Sequence, residues 1–283
     1  MSNEAQIPDV STEKDKVELI HDEITKVTPS GRKRLFEKFV LAVLGSIPWV
    51  GGFISTMATM KTESGDVYAD EMRTQWLDEH QKKIRLLANT IKEISERFDK
   101  LGVEIQDRIQ NEEYLNLVRR AFRTWDHADT NQKRKYVANL VINASSTQLS
   151  SDDLIRLFID WLNLYHEAHF SVINEIYKNE GVSRYDIWMA IHGKIPREDS
   201  AEADLYRLLI RDLSTGGVIR QEREKTVNGE FLRKHPRHQH KTSSTTMESA
   251  FEDSKPYVLT ELGKQFVHYT MTDSVTRIAD RKE

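Results

Sequence analysis

Two groups of histidines have the residue type and spacing that first suggest metal chemistry. His166 and His169 occur in the tetrapeptide His-Glu-Ala-His, but zinc metalloproteases need histidines four residues apart, and no third ligand is evident. We expect both side chains to lie at the edge of a protein core. The triplet His235, His238 and His240 suits only adventitious binding of a transition metal, because it lies in the segment expected to be least ordered. No metal site is predicted.

Other residue patterns on which catalysis depends are missing from the sequence. It contains no glycine-rich phosphate loop, no Gly-x-Ser-x-Gly elbow and no kinase signature. Carboxylates are plentiful, but none is paired in an apolar setting that would shift its pKa. Cysteine is absent from all 283 residues, which excludes disulfides, thiolate metal sites and cysteine nucleophiles. The sequence therefore predicts a non-enzymatic protein with no cofactor and no evident small-molecule substrate.

Basic residues in the C-terminal third have the chemistry to bind nucleic-acid phosphates or anionic lipid head groups. The chain has 41 basic and 45 acidic residues and a formal charge of −4, so an anion-binding surface has to be local. The alternative is a solvated loop with no binding role. The candidate residues are Arg207, Arg211, Arg220, Arg223, Lys225, Arg233, Lys234 and Arg237.

A run of 22 residues without a charge, from 39 to 60, resembles nothing else in the chain. As one helix it would span about 33 Å, close to the thickness of a bilayer core, but glycines and Pro48 interrupt its centre. It predicts a hairpin of two short helices, either buried in a helical bundle or associated with a membrane. In the membrane alternative, four basic residues bind the lipid head groups: Arg32, Lys33, Arg34 and Lys38. Two aromatic residues, Trp49 and Phe53, enter the bilayer.

A long helix is predicted from residue 67 to residue 109. Its apolar positions repeat at alternating spacings of three and four with charged residues between them, which is typical of a helix packed in a bundle or a coiled coil. Because such a seam also joins helices of separate chains, it is the predicted surface of a homo-oligomer. Its members are Ile84, Leu87, Ile91, Ile94, Phe98, Leu101 and Ile105.

These elements predict a mainly α protein of two domains. The polar stretch from Ser145 to Ser151 marks the expected boundary between them. The first 30 residues carry mixed charge without the basic-then-apolar order of a secretory signal, which favours a cytoplasmic protein, peripheral to the membrane in the membrane alternative. The predicted divisions are a polar segment with a short helix at 1–30, a helical bundle at 31–150, a second domain at 151–270 and a tail at 271–283.

Two segments of the second domain combine a helix with a strand candidate. Residues 209–223, LIRDLSTGGVIRQER, contain a helix, a glycine turn and a strand, and residues 257–269, YVLTELGKQFVHY, contain a strand and a helix. On these segments the domain resembles a winged helix-turn-helix domain of the MarR or PadR type. The resemblance implies that the first segment is the third helix and first wing strand, and that the second is the other wing strand and the closing helix.

The Leu-Thr-x-x-Gly-x-x-Phe spacing of the second segment is formed by Leu259, Thr260, Gly263 and Phe266. We expect Thr260 to cap the closing helix and Gly263 to allow that helix to pack closely on its neighbour. The departure from the winged-helix pattern is the wing, a small β element with a long flexible loop at 222–256.

DNA binding is the function that the winged-helix resemblance implies, because the third helix enters the major groove in DNA-binding members. Here the start of that helix is acidic, with Glu198, Asp199, Glu202 and Asp204, and carboxylates are repelled by DNA phosphates. The basic residues Arg197, Arg207 and Arg211 offset this acidity only in part. A protein partner and a DNA partner both remain open.

Three functions follow from these patterns. The first is a non-enzymatic effector or adaptor whose N-terminal region associates with membrane or self-assembles under the control of a partner-binding winged helix. In layout, though in no shared motif, this is loosely similar to helical pore-forming proteins. The second is a DNA-binding transcriptional regulator that dimerises through the long helix, and the third is a coiled-coil scaffold.

Overall fold

The fold is mainly helical, as the sequence predicts, and its described part contains one small sheet of two antiparallel strands. The computed structural model describes residues 33–50, 67–101, 105–146, 150–222 and 249–271. The predicted segment 1–30, the second half of the apolar hairpin, most of the predicted wing and the tail beyond Met271 lie outside these ranges. The chain divides into two compact units, of which the N-terminal unit ends at Asn163 and the C-terminal unit begins at Leu164.

The described part of the N-terminal unit is a bundle of helices. Helix α1 packs against α3 and α4, and α5 packs against α2 and α4. The bounds are α1 Lys33–Ser46, α2 Val67–Leu101, α3 Gln106–Gln110, α4 Glu112–His127, α5 Asn131–Ser146 and α6 Asp152–Leu164.

The core of this bundle is organised around Phe39 of α1, whose side chain is fully buried. Its ring lies 5.4 Å from that of Phe98 on α2 and 6.3 Å from that of Phe122 on α4, both in edge-on geometry. Each such aromatic pair contributes about 0.5–1.5 kcal/mol beyond the burial of its area. The Tyr114 hydroxyl donates a hydrogen bond of 2.8 Å to the Val141 carbonyl and so ties α4 to α5.

Two boundaries differ from the predicted ones. The stretch predicted as one helix from 67 to 109 is described as two helices, α2 ending at Leu101 and α3 spanning Gln106–Gln110, and residues 102–104 between them lie outside the described ranges. Helix α6 belongs to the N-terminal unit, so the division falls one helix later than the polar stretch at 145–151. The ion pairs Arg108–Asp152 and Arg120–Asp160 join α6 to α3 and α4, which explains its membership.

The C-terminal unit surrounds its small sheet with four helices in the described part of the chain. The strands pair with Ile219 opposite Leu259 and Gln221 opposite Tyr257, and an isolated bridge joins Val182 to Tyr257. The bounds are α7 Glu167–Lys178, α8 Arg184–His192, α9 Ala201–Thr215, β1 Ile219–Gln221, β2 Tyr257–Leu259 and α10 Glu261–Thr270.

Side-chain caps fix where the helices of this unit begin. The hydroxyl oxygens of Ser183 and Ser200 accept hydrogen bonds from backbone N–H groups in the first turns of α8 and α9. Thr260 does the same for α10, accepting from the Gly263 N–H at 2.9 Å, which confirms the predicted cap. A Cβ added at Gly263 would lie 2.1 Å from the Val218 carbonyl oxygen, so the close packing predicted for this glycine is also confirmed.

Candidate functional site

A cleft of about 600 Å³ opens in the C-terminal unit beside the C-terminal half of α9, strand β1 and the start of α8. Among the described residues that line it there are four arginines and no carboxylate. We call it the arginine cleft. The four are Arg184, Arg207, Arg211 and Arg220.

The sequence predicts three of these arginines as anion-binding residues, and the structure brings all three to one cleft. Arg207 and Arg211 are four residues apart on α9, so they share one face of the helix, and Ser214 and Thr215 continue that face. Arg220 reaches the same cleft from β1. The other candidates, Arg223, Lys225, Arg233, Lys234 and Arg237, lie outside the described residues.

Arg184 is the cleft residue that sequence reasoning missed. Its Nε and one terminal nitrogen donate hydrogen bonds of 3.0 and 2.7 Å to the Tyr257 hydroxyl, and its guanidinium lies 5.4 Å from the centre of that ring. The Tyr257 hydroxyl also accepts from the Gln221 amide at 3.1 Å. These contacts join residues 73 and 36 positions apart, which no local pattern indicates.

Arg207 is held at the edge of the cleft by acidic neighbours. It donates 2.8 Å to Asp204 and pairs with Glu198, which also accepts from the Ala250 N–H at 3.0 Å. Partial burial acts to raise the pKa of Glu198, but hydrogen bonds from Ser249 and Ala250 and the nearby guanidinium outweigh it, so this pKa is lowered. The charge of Arg207 is therefore largely offset within the protein.

Arg184 and Arg211 keep more of their charge for the cleft than Arg207 does. Arg184 donates to neutral acceptors, the Tyr257 hydroxyl and the Ser249 carbonyl. The Arg211 side chain is 72% exposed, and its Nε lies 3.9 Å from Asp212, which is too long for a strong hydrogen bond. Arg220 is exposed on β1. The cleft therefore has a positive potential, and its N–H donors come from α9, from β1 and from the start of α8.

The outward surface of α9 has a different character. Leu205 is 52% exposed and Leu208 is 39% exposed, and the exposed carboxylates of Glu202 and Asp204 lie beside them in the sequence. We call these four residues the α9 surface. Base edges and phosphates are met by polar donors and positive charge, and the α9 surface offers apolar and acidic groups instead.

Of the two histidines predicted at a core edge, His169 lies in the core and His166 is exposed. His169 is buried, its Nδ1 accepts a hydrogen bond of 3.1 Å from the His166 N–H, and its ring stacks on that of Tyr165 at 5.0 Å. Its Nε2 lies 3.9 Å from an Asp212 oxygen. Burial lowers the pKa of His169, and the charge of Asp212 opposes this in part. The described residues contain no group of ligands suited to hold a metal ion.

The described half of the apolar hairpin is part of the bundle. Phe39, Val43 and Ile47 are fully buried, whereas Lys38 is exposed. Trp49 is half-buried and donates 2.7 Å from its indole N–H to Asp126, which also pairs with Lys83 at 3.3 Å. Lys33 and Arg34 begin α1, and Arg32 and Phe53 lie outside the described residues. Within the described ranges, no helix combines the length and the apolar character needed to span a bilayer.

The heptad seam predicted for oligomerisation also packs inside the bundle. Leu87, Ile91, Ile94, Phe98 and Ile105 are buried, and Ile84 and Leu101 are half-buried. A contact between copies of the chain through these side chains would require the bundle to open.

No family model matches the chain, and neither the curated proteins nor the solved structures contain a match to it.

Proposed function

We propose that the chain is a non-enzymatic adaptor or effector whose C-terminal unit is a winged-helix domain that binds a protein partner. Support for the winged helix comes from the order of its elements, a helix, a bridge residue, two helices, two paired strands and a closing helix. The glycine turn before β1 and the cap at Thr260 fit the same arrangement.

The α9 surface is the observation that carries the choice of a protein partner. In DNA-binding winged helices the third helix presents donors to base edges, and in this chain α9 presents Leu205 and Leu208. Leucines exposed side by side on a helix suit a partner's apolar side chains. Glu202 would repel a phosphate backbone but attract basic side chains, and Asp204, which pairs with Arg207, adds to this effect less strongly. We therefore expect a partner with a mixed apolar and basic surface.

Under this proposal, the N-terminal bundle carries out the effector step, which is self-assembly or membrane association. Because the side chains of α1 and of the α2 seam are buried, membrane association through α1 or self-assembly through the seam starts with a rearrangement of the bundle. Binding at the α9 surface would control that rearrangement only if the partner binds the two states of the chain with different affinity.

The test is site-specific cross-linking in native cells. A photoreactive amino acid replaces Leu208 on α9 or, as the control, Tyr177 on α7, which is 48% exposed. We expect a protein adduct from position 208 that position 177 does not give. Leu205→Asp should abolish the adduct, whereas Tyr177→Asp should leave it unchanged. An adduct sensitive to nuclease, or the absence of any adduct at position 208, would contradict a protein partner.

The DNA-binding regulator is the second candidate, and the arginine cleft is the observation that favours it. It predicts a shift of duplex DNA at low salt, with a salt dependence that decreases when Arg207 and Arg211 are neutralised. A chain that shifts no duplex at low salt would remove this candidate and leave the protein partner.

A further inference from the structure

We propose that the arginine cleft binds the phosphate group of a small phosphorylated ligand with a ring or chain attached. The cleft and the α9 surface are formed by different side chains, although Arg207 of the cleft pairs with Asp204 of that surface, so this binding site does not depend on a protein partner. The proposal stands on the charge of the cleft, the fixed position of Arg184, and the size and shape of the space.

The charge of the cleft selects an anion. A guanidinium presents a positive charge and N–H donors that match phosphate oxygens, and Arg211 and Arg220 bring such groups to the cleft. Arg184 adds its charge and its remaining N–H groups, because some of its N–H groups already donate to Tyr257 and Ser249. Because the described lining includes no carboxylate, a bound anion meets no like charge on the wall. Arg207, already paired with Glu198 and Asp204, shapes the edge of the cleft and contributes less charge.

Arg184 is held in place before any ligand arrives. The Tyr257 hydroxyl accepts from two of its nitrogens, the Tyr257 ring lies against its guanidinium, and the Tyr206 hydroxyl donates 2.8 Å to its backbone carbonyl. Both tyrosines are almost fully buried. A guanidinium fixed in this way loses little conformational freedom when it binds, which favours affinity.

The size of the cleft indicates more than an inorganic ion. Its volume of about 600 Å³ falls in the range of small-molecule sites, and a single phosphate group fills only a part of it. Two buried isoleucines, Ile210 and Ile219, add apolar wall, and Gln221 and Thr215 add polar groups. Such a lining suits a ligand with an apolar ring or chain beside its phosphate.

The surroundings favour a small ligand over a duplex. A duplex lying across α9 would bring its phosphates against Glu202 and Asp204, where like charges repel. Neither carboxylate lines the cleft, so a small molecule inside it meets them less directly than a duplex does. Nucleic acid is therefore the outcome that the experiment has to distinguish.

The experiment measures binding of inorganic pyrophosphate and of adenosine monophosphate to the full chain by calorimetry, with thermal unfolding as a second readout. The test variant is Arg211→Gln with Arg220→Gln, which removes two exposed charges from the cleft. The matched control is Arg197→Gln, because Arg197 is 84% exposed, pairs with Asp199 and does not line the cleft. Duplex DNA of random sequence is the competitor.

We expect both probes to bind the wild-type chain, with adenosine monophosphate bound through its ring as well as its phosphate. The double variant should weaken both affinities roughly tenfold or more, which is the loss typical of one or two charged hydrogen bonds. The control should leave them unchanged. The proposal is overturned if neither probe binds saturably, if the control variant loses as much affinity as the double variant, or if duplex DNA binds through the same two arginines and displaces pyrophosphate.

Discussion

At the scale of single residues, Gly263 lets α10 pack closely against the backbone at Val218 because it has no side chain. The backbone of α10 lies so close to Val218 that a Cβ at Gly263 would approach the Val218 carbonyl oxygen to 2.1 Å. That carbonyl also accepts from the Thr260 N–H at 3.0 Å, so it is not able to move away without losing this bond. The start of α10 and the end of the turn before β1 are therefore fixed together.

We expect Gly263→Ala to lower the free energy of unfolding of the C-terminal unit by about 1–3 kcal/mol, the usual cost of overpacking. The matched control is Gly45→Ala on α1, where an added Cβ meets no atom within 4 Å. Since alanine is the better helix former, the control should be neutral or stabilising by up to about 1 kcal/mol. Urea unfolding followed by tryptophan fluorescence measures both. Equal effects of the two substitutions would contradict the close approach at Gly263.

His169 makes the stability of the C-terminal unit depend on pH. Burial lowers its pKa below the ordinary value near 6.5, with Asp212 opposing and His166 adding to the effect. The unfolded chain therefore takes up a proton on this side chain at a higher pH than the folded chain does. The contribution to stability is complete above about pH 6.5 and is lost as the pH falls from there through the folded pKa.

We expect urea unfolding of the wild-type chain to show this loss of stability below about pH 6.5. His169→Asn keeps an acceptor for the His166 N–H but does not titrate, so the loss should be smaller in the variant. The comparison of wild type and variant isolates His169 from the other histidines. The same dependence on pH in both proteins would show that His169 titrates at its ordinary pKa in the fold.

At the scale of elements, the sequence predicts the features that depend on neighbouring residues, which are the helical spacing of apolar side chains and the capping residues. The seam from Ile84 to Ile105 and the cap at Thr260 are local patterns, and in the structure the seam residues are buried or half-buried and Thr260 caps α10. The period could not say whether the seam packs within the chain or between chains, because both burials demand the same apolar spacing.

The arginine cleft shows the same limit at a binding site. Arg207 and Arg211 share a helix face that the sequence reveals. Arg184 joins them because its side chain bonds to Tyr257, on a strand that pairs with β1. That pairing depends on the whole unit having folded, so spacing along the chain carries no trace of it. The apolar spacing continues from α2 to α3, so the sequence predicted one helix where the structure describes two.

Helix α1 provides the test of whether the apolar segment serves as core. Phe39 lies between Phe98 and Phe122, whereas Leu41 on the same helix is 67% exposed. We expect Phe39→Ala to cost about 3–5 kcal/mol of stability in the N-terminal unit, because the cavity adds to the lost burial. Leu41→Ala should change it by no more than about 0.5 kcal/mol. Thermal and urea unfolding measure both, and a small effect of Phe39→Ala would contradict the packing of α1.

At the scale of the whole molecule, membrane association and folding of the bundle compete for the same side chains. Phe39, Val43 and Ile47 are buried in the N-terminal unit, so these side chains can insert into a membrane only if the bundle opens and exposes them. Under the membrane proposal, the free energy of opening the bundle is therefore subtracted from the free energy of binding. Destabilising the N-terminal unit should strengthen membrane binding, and destabilising the C-terminal unit should not.

Flotation with anionic vesicles tests this competition. Phe122→Ala removes a buried ring on α4, outside the apolar segment, and should increase the floated fraction, whereas Gly263→Ala destabilises the C-terminal unit and should leave it unchanged. Adding Trp49→Asp and Phe53→Asp to Phe122→Ala should abolish the increase, because the two carboxylates oppose insertion of the apolar segment into the bilayer. A chain that floated only because it is unfolded and binds vesicles non-specifically would still float with these substitutions. If Phe122→Ala does not float more than the wild type, α1 serves the core alone, and self-assembly remains as the effector step of the N-terminal unit.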